Sequence, residues 1–252
     1  MAERFLLSAL VLALIAGCGD GQRQAVLPDP LPLEESDTVF VNVPAGVYVT
    51  DSGDSIRIEA FRLGRYEVSN RLYYHIAREN GIALPPDPKF AGFDDYLFSC
   101  PDYPVVNVSM IEALAAAAGM GGRLPSRAEW RYAASLDLQG DDVHDLYPWG
   151  ILDPVDAEYP ANYLAGDEWE TRALDGYSWT APVDSFPLTD AGLASMAGNV
   201  AEWTVSPLDS MTSVCGGSWL SPSDEIKIGS CRPLASGDRA RHIGFRILLP
   251  AD

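Results

Sequence analysis

The chain has 252 residues with 36 Asp and Glu against 17 Lys and Arg, a formal net charge of -19. That balance excludes binding to a phosphate backbone, which needs a basic footprint, and so excludes nucleic acid as a partner. Hydrophobic residues make up 47%, enough for one sizeable core, and the acidic surplus reads first as a solvated surface of an exported protein.

In chain order, Phe5 to Ala16 form an uncharged apolar run after Arg4. It is too short for a permanent bilayer helix and ends in Ile15-Ala16-Gly17-Cys18. Residues 1–18 therefore read as a signal peptide resembling a bacterial lipobox, cut before a lipidated Cys18. A plain signal peptide with a chance cysteine is the bland alternative. Residues 19–36 are rich in Pro, Gly and charge and read as a flexible tether. One domain is expected over 37–252.

Strands are expected at 39–43, 47–49 and 56–59, where β-branched and alternating residues occur. Ser69 is placed to cap a helix carrying Leu72, Tyr73, Ile76 and Ala77 on one face, stopped by Gly81. Ser109 with Glu112 and Ser126 with Glu129 are capping boxes, the first opening an Ala-rich helix that ends at Gly119. Residues 138–195 lack helical periodicity, and a loop that long needs metal ions or aromatic packing to hold it. Short strands are expected near 203–205, 217–219 and 244–249. Trp149, Trp169, Trp179, Trp203 and Trp219 read as core, with some available to line a groove. His75, His144 and His242 are far apart and show no HxxxH or HExxH spacing. With Cys18 lipidated, Cys100, Cys215 and Cys231 allow one disulfide of unassigned pairing, or three buried thiols.

Six landmarks occur in order: Arg65-Tyr66-Glu67-Val68-Ser69-Asn70, Tyr103-Pro104-Val105-Val106-Asn107-Val108-Ser109, and Gly122-Arg123-Leu124-Pro125-Ser126-Arg127-Ala128-Glu129-Trp130. Then come Tyr147-Pro148-Trp149-Gly150, Gly192-Leu193 through Gly198-Asn199-Val200-Ala201-Glu202-Trp203, and Cys215-Gly216-Gly217-Ser218-Trp219 with Gly244-Phe245-Arg246. Together, over about 38–249, they resemble the formylglycine-generating enzyme / sulfatase-modifying factor family. The resemblance implies an α+β, C-type-lectin-like fold with low regular secondary structure.

It also implies two structural calcium sites. Asn162, Tyr163, Asp175 and Tyr177 match the first, a mixture of side-chain and carbonyl oxygens that suits a hard cation. Ser195, Gly198, Val200 and Glu202 match the second, with Ser195 a weaker ligand than the family's usual Asp or Asn. Turn-forming and capping roles for Asp175 and Glu202 are the plain alternatives. In catalytic relatives two cysteines bind copper, which oxidises a substrate cysteine to formylglycine. Those positions fall on Ser221 and Ile226 here, neither of which offers the soft thiolate that Cu(I) requires. No catalytic residue is assigned and copper is not expected. The expectation is an envelope lipoprotein, lipid-anchored, whose calcium-stabilised domain binds a peptide, glycan or envelope protein. A formylglycine-generating-type oxidase is the alternative. The choice of inner or outer membrane stays open.

Overall fold

The computed structural model describes residues 27–138, 140, 143–157, 161–166, 174–205 and 212–251. The signal segment, Cys18 and Trp169 lie outside the described residues. Among the described residues no helix is long and apolar enough to cross a membrane.

Residues 27–34 carry no helix or strand and lie along α1 (Asn70–Asn80). Arg78 donates to the Pro28 carbonyl at 2.8 Å, Tyr74 to the same carbonyl, and His75 meets the Leu31 carbonyl. Arg71, itself buried, pairs with Glu34 at 2.6 Å and with Asp102.

The strands are short and, among the described residues, form three sheets. β1 (Phe40–Val43), β4 (Phe61–Gly64) and β9 (Leu248–Pro250) make an antiparallel sheet with β4 central. Phe40 pairs with Gly64, and Leu63 with Leu248, so this sheet ties the two ends of the domain together. β2 (Gly46–Val49) and β3 (Ser55–Ile58) form a separate hairpin. The third sheet has the order β7-β6-β5-β8, from β5 (Ala201–Val205), β6 (Thr212–Cys215), β7 (Cys231–Pro233) and β8 (Ile243–Gly244).

The capping signals hold. Ser69 Oγ accepts from Leu72 N at 3.0 Å, and α1 ends at Gly81 in the left-handed region. α2 is a single turn, Tyr96–Ser99. Both predicted capping boxes form, at the starts of α3 (Met110–Gly119) and α4 (Arg127–Ala134). The small buried face of α3, Ala113, Ala116 and Ala117, packs with Tyr73 and Ile76 of α1 and with Trp203 and Phe245. Trp130 of α4 centres a second cluster with Leu63, Met196 and Leu248. Each buried indole removes a large apolar area from water: Trp130 and Trp203 are both 0% exposed.

Two strand expectations change. The strand expected at 217–219 lies earlier, at Thr212–Cys215, because Gly216 and Gly217 have φ of +87° and +64° and turn the chain out of the sheet. The strand expected over 244–249 is split into β8 and β9. Between them, residues 245–247 cross from one sheet to the other, where the carbonyls of Phe245 and Ile247 accept from Val68 N and Gly64 N at 2.9 Å each.

A candidate ligand cleft and two predicted cation sites

The left-handed turn at Gly216-Gly217 lifts Ser218–Ser221 away from the third sheet and opens a cleft of about 440 Å³. Leu220 gives it exposed apolar surface, over a floor closed by the nearly buried Ala201 and Val214. Ser218, Ser221, Glu225, Cys231, Arg232 and His242 supply its polar edges. The Ser218 N–H donates to Ser221 Oγ at 3.2 Å, and Leu220 N donates to Ser218 Oγ at 3.3 Å, so the turn braces itself.

The two positions matched to copper cysteines part company. Ser221 lines the cleft. Ile226 is 0% exposed and packs among Tyr147, Ala161, Tyr163 and Ala197. A side chain there is part of the core, and no sulfur stands at either position.

The disulfide pairing is resolved. Cys215 on β6 and Cys231 on β7 are directly opposite in register and are bonded to each other. Cys100 is a buried free thiol whose pKa burial pushes up. The row continues across the sheet from Cys231 and Cys215 to Glu202 and Gly244.

At the cleft edge, Arg232 Nη2 donates to His242 Nε2 at 2.9 Å. Burial, followed by the charges of Arg232 and Arg241, pulls His242 down to about 4, so its ring is neutral at pH 7. Arg241 lies over two indoles, 5.2 Å from the Trp179 ring centre and 5.6 Å from that of Trp219. Trp179 stacks in turn on Phe90. Trp219 belongs to a buried cluster with Phe90, Tyr96 and Val106, against which Trp179 packs, and Trp203 is core as well. The three histidines do not converge: His75 meets Leu31, His144 meets Asp51 and Tyr48, and His242 meets Arg232.

The residues of the first predicted calcium set are brought together. Asp175 Oδ2 accepts from Tyr163 N at 3.2 Å and its Oδ1 from Tyr177 N at 3.0 Å. Asn162 donates to the Trp179 carbonyl at 2.7 Å, while its Oδ1 is buried with no hydrogen-bond partner. An orphaned buried amide oxygen is costly unless something satisfies it. Burial raises Asp175 to about 6, against its two backbone hydrogen bonds. A desolvated carboxylate and an orphaned amide oxygen are hard oxygen donors of the kind a hard cation takes. Gly198 seals this region: a Cβ there would stand 2.1 Å from the Asn162 carbonyl oxygen, and Asn199 N donates to that oxygen at 2.7 Å.

The second set is built differently. Ser195 Oγ is buried without a partner. Glu202, however, is taken up by the interior: its oxygens accept from Arg246 Nε and Nη2 and from Trp130 Nε1 at 2.8 Å. Val200 N–H donates to Glu67 Oε1 at 3.1 Å, and Asn199 Nδ2 to Glu67 Oε2 at 2.6 Å. Glu67 is raised to about 8, first by burial and then by the nearby charge of Glu202, with Arg246 opposing. No sequence motif marks Arg232 or Arg241, and Glu67 stands inside a landmark whose pattern carries no sign of its burial beside Glu202.

Among curated proteins, bovine formylglycine-generating enzyme is 28% identical over 236 residues, covering 72% of this chain and 62% of its own length. The bovine inactive C-alpha-formylglycine-generating enzyme 2 is 36% identical over 130 residues, covering 49% of this chain and 40% of its own. The chain thus spans about three-fifths of the length of the first of these relatives, and less of the second. The solved structure of CarF superposes with a TM-score of 0.64 at 23% identity, over 84% of this chain and 98% of that one, which establishes the fold. The fold is the mixed helix-and-sheet, C-type-lectin-like arrangement with few helices. Residues 26–251 match the sulfatase-modifying factor enzyme 1-like domain, and the chain belongs to that family.

Proposed function

We propose that this chain is an envelope lipoprotein whose sulfatase-modifying factor-like domain binds a peptide, glycan or partner protein through the cleft, without copper oxidase chemistry. One observation carries the reading. The two positions matched to copper cysteines hold a cleft-lining Ser221 and a core Ile226, while Cys215 and Cys231 are consumed in a disulfide with each other. That donor set does not fit Cu(I), which asks for free thiolates.

Calcium fits the first set. Asn162 and Asp175 would hold it by side-chain oxygens and Tyr163 and Tyr177 by carbonyls. Calcium bound there would supply no reaction chemistry; these residues would hold it as a structural ion. The second set does not enter the reading, since Glu202 already accepts from Arg246 and Trp130. The anchor rests on Cys18 and the apolar run before it. Replacement of Cys18 by Ser should release the protein from the membrane fraction; continued membrane association would defeat the anchor.

The deciding experiment incubates the full chain with Cu(I), oxygen and a sulfatase-type cysteine peptide, and follows peptide mass. No change is expected. A copper-dependent mass loss corresponding to formylglycine would overturn the reading in favour of the oxidase.

A further inference from the structure

This inference rests on the cleft being a binding site and names what it takes. In a chain of net charge -19, most described guanidiniums find a carboxylate, Arg71, Arg78, Arg123, Arg131, Arg239 and Arg246 among them, while Arg65 donates to the Gly192 carbonyl. At the cleft edge the arrangement differs. Arg232 is exposed on β7, and its bond is to the neutral ring nitrogen of His242. Among the described residues no carboxylate pairs with Arg232 or with Arg241. The imidazole fixes the direction of Arg232 and leaves its charge uncancelled. Because Nε2 of His242 accepts from Arg232, the ring proton sits on Nδ1, a second donor.

We infer that the cleft binds a carboxylate ligand with an apolar body, the carboxylate on Arg232 and the body against Leu220, above the floor of Ala201 and Val214. A guanidinium presents a planar two-donor fork that matches a carboxylate. The cleft lining holds one guanidinium, Arg232, and one carboxylate, Glu225, so an anion must seat on the Arg232 side, and a monoanion there meets less repulsion from Glu225 than a phosphate dianion would. A volume of about 440 Å³ accommodates a ligand of amino-acid to small-peptide size. Ser218 and Ser221 add hydroxyls along its edge.

The test titrates the full chain, by calorimetry, with N-acetyl-leucine, N-acetyl-leucine amide and inorganic phosphate. Saturable binding of the acid is expected, with at least tenfold weaker binding of the amide and of phosphate. Arg232→Gln should weaken the acid by at least tenfold. Arg232→Lys, which keeps the charge and loses the fork, should fall between. Circular dichroism of the variants checks the fold, which an exposed edge-strand position should not disturb. Equal binding of acid and amide, preference for phosphate, no saturable binding, or an unchanged Arg232→Gln titration would each overturn the inference. The copper assay reads a different event, so a carboxylate site stands or falls separately from the absence of oxidase chemistry.

Discussion

Arg246 reaches Glu202 across 44 residues of chain, its Nη2 donating to Oε1 at 2.7 Å, with side chains 0% and 1% exposed. The same guanidinium donates to the carbonyls of Gly64, Arg65 and Ala194. It therefore ties the crossing between β8 and β9 to β5, to the end of β4 and to the loop before Ser195. Every donor nitrogen has an acceptor, which is what allows a charge to be buried at all.

Arg246→Met should cost about 3–5 kcal/mol, because it strands the Glu202 carboxylate in the interior. Urea unfolding measures it. A loss below about 1 kcal/mol would mean that water reaches the pair.

Glu67 gives the protein a pH signature. Its folded pKa is raised to about 8, so between the unfolded carboxylate range and pH 8 the folded state binds more protons than the unfolded one. Stability from this group is therefore present at low pH and lost as pH rises through 8. The unfolding free energy of the wild type minus that of Glu67→Gln should decline from pH 5 to pH 8.5. A flat difference would remove Glu67 as the cause.

The Cys215–Cys231 bridge closes a loop with a sequence separation of 16. A loop of that length is worth about 3 kcal/mol. Reduction, or the Cys215→Ala/Cys231→Ala double variant, should lower the melting temperature. Alkylation of the oxidised, unfolded domain should label Cys100 and neither partner of the bridge. Labelling of Cys231 in that sample would contradict the pairing.

Calcium should raise the melting temperature, and chelation lower it, by the equivalent of ~2.7 kcal/mol at a hundredfold excess over Kd. Asp175→Asn should abolish the response. An identical transition with and without chelator would remove the ion from the Asn162–Tyr177 segment.

Gly198→Ala should destabilise by well over the roughly 1 kcal/mol that a left-handed residue alone costs. At φ +76° its Cβ would stand 2.1 Å from the Asn162 carbonyl oxygen. Gly176, also left-handed but with nothing within 4 Å of a Cβ, is the control: Gly176→Ala should cost only the backbone term. Equal losses at the two positions would show that Asn162 relaxes away.

The sequence by itself determined what depends on neighbours in the chain. Ser69, Ser109 and Ser126 announced three helix starts because a cap is a bond within three residues. The landmarks from Arg65 to Arg246 identified the family, and Ser221 and Ile226 showed that copper thiolates were missing. Only the tertiary structure decided what depends on partners far along the chain. The Cys215–Cys231 pairing follows from the register of β6 and β7. The burial of Glu67 beside Glu202 joins segments more than a hundred residues apart, with Glu67 held by Asn199 at a separation of 132. The charge left open at Arg232 exists because an imidazole ten residues away, not a carboxylate, meets it. Spacing cannot reveal these, since burial and electrostatic field are set by which surfaces meet once the sheets have packed.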